Sequence, residues 1–182
     1  MNSFSHIPVL YDELLALLRP QENGRYIDGT LGAGGHAAGV LQKSAPSGRI
    51  LVFDKDAEAI TFAQKQLAPF AERVTYVHAS YAEMGTYAPQ HGFTNADGIM
   101  LDLGLSSRQL DNPERGFSFM KEGPLDMRFD TTKGETAADL INNLDETALA
   151  NILWRYGEEK SSRKIARMLV AERPFITTTQ LA

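Results

Sequence analysis

The amino-acid sequence predicts an α/β fold, a Rossmann-like parallel sheet with helices on both faces, followed by a loop-rich and helical subdomain. Four short apolar runs alternate with segments of helical spacing in the first part of the chain, and a glycine-rich turn follows the first run. After Asp102 the sequence becomes polar and is punctuated by proline and glycine. We therefore expect two domains, residues 1–104 and 105–182.

The predicted strands are the apolar runs, which are rich in the branched and aromatic residues that fit a pleated sheet. They span residues 25–28, 48–54, 73–78 and 98–102. Strands that alternate with helices pair in parallel through right-handed crossovers. The carboxyl ends of the four strands should therefore meet at one edge of the sheet.

The predicted helices are marked by apolar residues at helical spacing and by capping residues. One helix should begin at the glycine-rich turn and another after Asp56, a good N-cap. A third helix should begin near Asp145. A fourth should span about 160–172 and end before Pro174. The stretch 104–134 should be mostly loop.

The composition excludes several classes of function. With 182 residues, 43% hydrophobic and 23% charged, the chain is typical of a soluble globular protein. It has no cysteine, which excludes disulfides, thiol catalysis and the cysteine adduct used to methylate carbon 5 of pyrimidines. Its four histidines lack ligand-pair spacing, so we predict no metal. No apolar run approaches the ~20 residues of a membrane span, and the amino terminus does not resemble a signal peptide, so we expect a cytoplasmic protein.

Charge is unevenly distributed along the chain. The net charge of -5 argues against bulk electrostatic binding of nucleic acid. Residues 155–173, however, contain six basic and three acidic residues, and Lys160, Arg163, Lys164 and Arg167 should share one helix face. That face is either a contact for an RNA backbone or only the solvated side of a helix.

The glycine-rich turn is the strongest local signal. Gly32, Gly34 and Ala37 match the G-x-G-x-x-(G/A) spacing of nucleotide-binding turns, placed between a strand and a helix. Glycine lets a ligand approach the backbone closely and adopts dihedral angles that other residues avoid. The alternative is a purely structural turn.

Carboxylates at the strand ends favour a ligand site over a structural turn. Asp54 ends the second predicted strand, where doubly wound folds place the carboxylate that holds ribose hydroxyls, and Asp102 ends the fourth. These carboxylates and Gly34 should converge on one crevice. Acidic walls suit S-adenosylmethionine, which carries a sulfonium and an ammonium, better than NAD, which carries a pyrophosphate. An NAD-linked oxidoreductase remains the alternative for the same turn.

A series of motifs resembles one known family. The motifs are HxPVLxxE from His6, DGTLGAGGHA (28–37), FDKD (53–56), DGIMLDLGLSSRQLD (97–111), ERGFSF (114–119) and GPLDMRFD (123–130). Together they resemble the bacterial ribosomal RNA small-subunit methyltransferase H family, also called MraW. The resemblance implies a class I methyltransferase core that uses S-adenosylmethionine to methylate the N4 amine of a cytidine in the decoding region of 16S rRNA.

The resemblance also implies the cofactor contacts. They are Gly34, Gly35, His36, Asp54, Tyr81, Asp102 and Gln109. Tyr81 would stack on the adenine, and Asp102 is the nearest candidate to accept the proton of the amine. The alternatives are a core aromatic for Tyr81, a helix-start histidine without a ligand for His36, and service to the cofactor alone for Asp102.

The second domain would recognise the RNA. Its candidate contacts are Arg115, Phe117, Phe119, Arg128, Lys164 and Arg167. Phenylalanines could stack on a flipped base and arginines could meet phosphates. Alternatively, Phe117 and Phe119 are core residues, and Arg128 pairs with Asp126 or Asp130.

Relatives in this family are longer, and this chain stops at TTTQLA. We expect a shortened chain that keeps most cofactor contacts but leaves a sheet edge exposed at the fourth strand, through which it could form a homo-oligomer. A catalytically impaired fragment that binds cofactor or RNA is therefore an alternative to the active methyltransferase.

Overall fold

The computed structural model describes residues 8–182. The chain divides into two compact units. The first ends at Gly104 and the second begins at Leu105. The first unit contains the sheet and the second contains loops and helices. His6, the first residue of the predicted motifs, lies outside the described residues.

The first unit is built on a four-stranded parallel sheet with strand order β3-β2-β1-β4. The strands are β1 (Arg25–Asp28), β2 (Arg49–Asp54), β3 (Val74–His78) and β4 (Gly98–Met100). Ile27 of β1 lies opposite Leu51 of β2 and Ile99 of β4. The parallel α/β fold predicted from the sequence is confirmed, and β4 forms one edge of this sheet. Self-association through that edge stays a prediction.

The fourth strand ends two residues earlier than predicted. It stops at Met100, and the backbone N–H of Asp102 donates to the side-chain Oγ1 of Thr30 at 2.6 Å. A side chain therefore takes the place of a backbone partner at the end of this strand.

Helices cover both faces of the sheet, as predicted. On one face lie α1 (Tyr11–Leu18), α2 (Gly35–Lys43) and α3 (Ala57–Gln66). Their apolar side chains pack with alternate strand residues in one buried cluster, which includes Val40, Leu41, Ile50, Val52 and Met100. Asp56 caps α3 as predicted, its carboxylate accepting from the backbone N–H groups of Glu58 and Ala59.

The opposite face packs against α4 (Met84–Gln90). Ala88 of the helix belongs to one buried cluster with Ile27, Leu51, Phe53 and Val77 of the strands. Sequence reasoning did not identify α4, because it is short and contains Pro89, which is unfavourable inside helices.

The second unit is mostly loop up to residue 134, with two short helical segments, and then helical. Its helices are α5 (Ser107–Asp111), α6 (Ala137–Asn143), α7 (Glu146–Gly157), α8 (Ser162–Glu172) and α9 (Thr178–Leu181). Leu149, Ala150 and Ala166 form its buried cluster. The helix expected near Asp145 is α7, with Asp145 as its cap, and the next begins at Ser162 rather than near residue 160. Across residues 8–182, no helix is long and apolar enough to cross a membrane.

Candidate functional site

The glycine-rich turn, residues 28–36, lies at the carboxyl edge of the sheet and is bonded to neighbouring strands. The N–H of Gly29 donates to the carbonyl of Met100 at 3.0 Å, and the N–H of Leu31 donates to the carbonyl of Phe53 at 2.9 Å. These bonds tie the turn to the ends of β4 and β2. The turn is thus fixed at the edge where open α/β sheets bind ligands.

Glycine is required at position 34. Gly34 is the N-cap of α2 and has φ +83°, a left-handed conformation that side chains disfavour. A Cβ there would lie 3.3 Å from both the Cβ of Ala63 and the Cδ1 of Leu67. The turn therefore needs glycine both for its dihedral angles and for its packing against α3.

We expect Gly34→Ala to lower the free energy of unfolding by about 1–3 kcal/mol, the cost of left-handed strain at a non-glycine residue. Gly85→Ala is the matched control, because a Cβ at Gly85 in α4 meets nothing within 4 Å. That substitution should be neutral or stabilise by up to about 1 kcal/mol. Urea unfolding measures both, and equal effects of the two substitutions would contradict this account of the turn.

Asp54 holds the turn from the end of β2. Its Oδ2 accepts the N–H of Gly32 at 2.8 Å, and its Oδ1 accepts the N–H of Asp56 at 2.9 Å. Burial raises the pKa of Asp54, while the backbone hydrogen bonds from Asp56 and Gly32 oppose that change. Its carboxylate is therefore oriented beside the turn, and its predicted contact with a ribose stays a prediction.

Asp28 begins the glycine-rich turn and is more deeply buried than Asp54 and Asp102, with 2% of its surface exposed. Its Oδ1 accepts the N–H of Thr30 at 3.0 Å. Burial raises the pKa of Asp28 to about 7, with smaller increases from the charges of Asp54 and Asp102, against hydrogen bonds from Thr30 that lower it. Asp54 and Asp102 are thus close enough for their charges to act on Asp28.

The raised pKa of Asp28 predicts a pH dependence of stability. In the unfolded chain this carboxyl ionises near its ordinary pKa of 3.8, and in the folded chain near 7. Between these values the folded chain keeps a proton that the unfolded chain has lost, so this group lowers stability as pH rises from about 4 to about 7. Above about 7 its contribution is constant.

Asp28→Asn removes this titration while keeping an oxygen that can accept from Thr30. We expect the free energy of unfolding of the variant, relative to the unsubstituted chain, to rise steadily between about pH 4 and 7 and then to level off. Urea unfolding at several pH values measures the difference. A difference that does not change with pH would show that Asp28 is not the group responsible.

Asp102 lies beyond the end of β4 with a well-exposed side chain, 57% accessible to solvent. Its Oδ2 lies 3.9 Å from the Nδ1 of His36. The structure therefore brings Asp28, Asp54 and Asp102 to the same glycine-rich turn. An exposed carboxylate beside two more buried ones can meet a ligand from the solvent side.

His36 is buried in the first turn of α2. Its Nε2 lies 3.0 Å from the carbonyl oxygen of Val9, and its ring stacks on Tyr11 with centroids 6.3 Å apart. A carbonyl can only accept, so Nε2 carries the proton in this contact. The histidine therefore joins α2 to the segment before α1, and its predicted cofactor contact stays a prediction.

Tyr81 is not a core aromatic, because 40% of its surface is exposed. It follows Ser80, which caps the short 3-10 helix Tyr81–Glu83 after β3. A Cβ added at Gly29 would lie 2.9 Å from the Cβ of Tyr81. The tyrosine therefore stands next to the glycine-rich turn, with ring surface available for stacking.

Gln109 belongs to the second unit and has a structural contact there. It is buried, and its Oε1 accepts the N–H of Ser106 at 3.0 Å in a capping box at the start of α5. Its predicted contact with the cofactor stays a prediction.

The two arginines predicted to meet RNA phosphates make contacts within the second unit. Arg115 is buried, and its Nη2 donates to the carbonyls of Arg128 and Phe129 at 3.0 Å. Arg128 forms a bidentate ion pair with Asp126: its Nε donates to Oδ1 at 2.9 Å and its Nη2 donates to Oδ2 at 2.7 Å. Of the two acidic partners considered for Arg128, the structure favours Asp126. The RNA contacts of both arginines stay predictions.

The remaining RNA candidates differ in exposure. The ring of Phe117 packs at 5.4 Å from that of Phe129, whereas Phe119 is 65% exposed. Lys164 is exposed on α8, and the Nε of Arg167 lies 3.5 Å from a carboxylate oxygen of Glu146. Phe119, Lys164 and Arg167 are therefore all exposed, and their role with RNA stays a prediction.

Sequence reasoning missed Thr30, whose hydroxyl accepts from the backbone of Asp102. The spacing Asp28-x-Thr30 is typical of an Asx turn and could have indicated the bond from Thr30 to Asp28. The bond to Asp102 joins residues far apart in sequence and had no local signal. Among residues 8–182, no group of three or more histidine, aspartate or glutamate side chains is arranged to hold a metal ion.

Comparisons with known proteins agree on one family. The model of the MraW methylase family matches residues 3–182. Ribosomal RNA small subunit methyltransferase H of Stenotrophomonas maltophilia is 52% identical over 181 residues, covering 97% of this chain and 55% of the relative. The protein of that name from Geotalea uraniireducens is 46% identical over 184 residues, covering 100% of this chain and 59% of the relative. The chain thus spans little more than half the length of these relatives.

Solved structures give a weaker likeness. A SAM-dependent O-methyltransferase from Thermotoga maritima is 25% identical, with a TM-score of 0.44 over 53% of this chain and 35% of the other. A likeness of this degree carries no argument about the function of the chain.

Proposed function

The chain belongs to the MraW methylase family, and we propose that it binds S-adenosylmethionine and serves in methylation of small-subunit ribosomal RNA. The acceptor we propose is the N4 amine of a cytidine in the decoding region of 16S rRNA. The cofactor half of this proposal rests on the first unit, and the acceptor half rests on the resemblance of the whole chain to its relatives.

One observation carries the cofactor proposal: carboxylates from three strand ends meet at one glycine-rich turn. Asp54 bonds Gly32, Asp28 bonds Thr30, and Thr30 bonds the backbone of Asp102. This arrangement places negative charge around a backbone that a ligand can approach closely. A ligand with a ribose and positive charge suits it.

The charge of the site distinguishes S-adenosylmethionine from NAD. The charges of Asp54 and Asp102 already disfavour ionisation of Asp28, so a further anion would be repelled. A pyrophosphate at this turn would meet that repulsion, whereas a sulfonium and an ammonium would relieve it. The residues present therefore fit S-adenosylmethionine.

Different residues would contact different parts of the cofactor. Asp54, oriented by Gly32 and Asp56, would accept hydrogen bonds from the ribose hydroxyls. Tyr81 would stack on the adenine with its exposed ring. Asp102 would face the positively charged end. When bound, S-adenosylmethionine supplies an electrophilic methyl group.

The amine of a cytosine is a weak nucleophile, so its orientation and the removal of its proton matter most. The exposed carboxylate of Asp102 can accept a hydrogen bond from such an amine and then its proton. In the second unit, the exposed ring of Phe119 is available to stack on a base, and Lys164 to meet a phosphate.

Calorimetric titration of the purified chain with S-adenosylmethionine and, separately, with NAD tests the cofactor proposal. We expect saturable binding of the first and none of the second at equal concentrations. Binding of NAD without binding of S-adenosylmethionine would overturn the proposal and favour an oxidoreductase.

A further inference from the structure

We propose that Thr30 is a positioning residue of this site. Its backbone N–H bonds the Asp28 carboxyl, and its hydroxyl bonds the backbone of Asp102 and so fixes where the Asp102 carboxylate lies. The importance of that carboxylate rests on the function proposed above. The hydrogen-bonded path itself rests on the structure alone.

The contacts of Thr30 define this path. Its backbone N–H donates to the Oδ1 of Asp28 at 3.0 Å, and its Oγ1 accepts the backbone N–H of Asp102 at 2.6 Å. Thr30 therefore contacts Asp28 through its backbone and Asp102 through its side chain, so a single residue joins both partners.

The place of the hydrogen bond from the Asp102 backbone to Thr30 explains how it positions Asp102. The last backbone bond between β1 and the end of β4 runs from the N–H of Gly29 to the carbonyl of Met100. The bond from Asp102 to Thr30 continues this pairing two residues farther, through a side chain. Since the carboxylate of Asp102 is mostly exposed, its location depends on how its backbone is held.

The same hydroxyl acts on Asp28. Hydrogen bonds from Thr30 lower the pKa of Asp28, against the larger effect of burial. The charged groups that face Asp28 are Asp54 and Asp102, and His36 lies near Asp102. Removing the hydroxyl should therefore raise the pKa of Asp28 further and loosen Asp102 at the same time.

Two substitutions separate the hydroxyl from the shape of the side chain. Thr30→Val keeps the branched shape and loses the hydroxyl, whereas Thr30→Ser keeps the hydroxyl. Thr61→Val is the matched control, because the Oγ1 of Thr61 donates to the carbonyl of Ala57 at 2.9 Å on the exposed side of α3.

The first readout is affinity for S-adenosylmethionine, measured by calorimetric titration. We expect Thr30→Val to weaken binding by roughly 5- to 20-fold, the equivalent of one hydrogen bond with a charged partner nearby. Thr30→Ser should restore affinity to within about threefold of the unsubstituted chain, and Thr61→Val should leave it unchanged. Unchanged affinity in Thr30→Val, or equal losses in Thr30→Val and Thr30→Ser, would overturn the inference.

The second readout does not need a ligand. The pH at which the stability of the chain stops falling should move upward in Thr30→Val and return in Thr30→Ser. An unmoved profile would show that the hydroxyl does not act on Asp28. If the unsubstituted chain fails to bind S-adenosylmethionine, the proposed function fails, and this readout still decides whether the hydroxyl of Thr30 acts on Asp28.

Discussion

We expect Asp54→Ala to lower the affinity of the chain for S-adenosylmethionine by roughly 10- to 100-fold, the cost of losing hydrogen bonds to a charged acceptor. Two effects combine in this loss. The ribose hydroxyls would lose the carboxylate proposed to accept their hydrogen bonds. The N–H of Gly32 would lose the carboxylate oxygen to which it donates at 2.8 Å, a bond that holds the glycine-rich turn. The affinity of Asp54→Asn should lie between those of Asp54→Ala and the unsubstituted chain, because the amide oxygen of asparagine can still accept from the N–H of Gly32.

Calorimetric titration measures these affinities, with Asp97→Ala as the control. Asp97 precedes β4, so it lies at the opposite edge of the sheet, where its Oδ2 accepts the N–H of Arg25 at 2.8 Å. Its removal takes away a carboxylate without touching the site. Equal effects of Asp54→Ala and Asp97→Ala would place the cofactor elsewhere.

Asp102→Asn should reduce the rate of methyl transfer to 30S subunits by roughly 100- to 10,000-fold, the range typical of losing a group that accepts a proton. Its affinity for S-adenosylmethionine should fall much less, because the variant loses only the charge that would face the positive end of the cofactor, while its backbone N–H still donates to Thr30. A loss of rate much larger than the loss of affinity separates proton acceptance from cofactor binding.

Radioactive methyl transfer and calorimetric titration on the same preparations measure both quantities. A normal rate in Asp102→Asn would remove Asp102 as the proton acceptor. Equal losses of rate and affinity would assign it to the cofactor alone. No transfer by the unsubstituted chain, together with normal cofactor binding, would favour the alternative of a binding fragment over an active enzyme.

The sheet, and the meeting of Asp54 and Asp102 at the glycine-rich turn, were predictable because they depend on local patterns. Branched residues marked β1, β2 and β3 to within one residue at each end, and Asp56 and Asp145 marked the starts of two helices. Parallel strands share one carboxyl edge, so Asp54 and Asp102 could be placed near the same turn from sequence order alone.

The side-chain partners were not predictable in the same way. Arg128 pairs with Asp126 two residues away, but Asp130 was an equally acceptable partner on spacing. The bond from Thr30 to Asp102 depends on the lateral pairing of β1 with β4, which no sequence pattern specifies. The burial of Arg115 likewise depends on backbone carbonyls of residues 128 and 129 that the chain brings back to it.

A crystal structure of the chain with S-adenosylmethionine tests the central claim most directly. We predict the ribose hydroxyls within hydrogen-bond distance of the Asp54 carboxylate, the adenine against Tyr81, and the sulfonium between the glycine-rich turn and Asp102. A cofactor bound anywhere other than the carboxyl edge of the sheet, or with its ribose away from Asp54, would contradict the account.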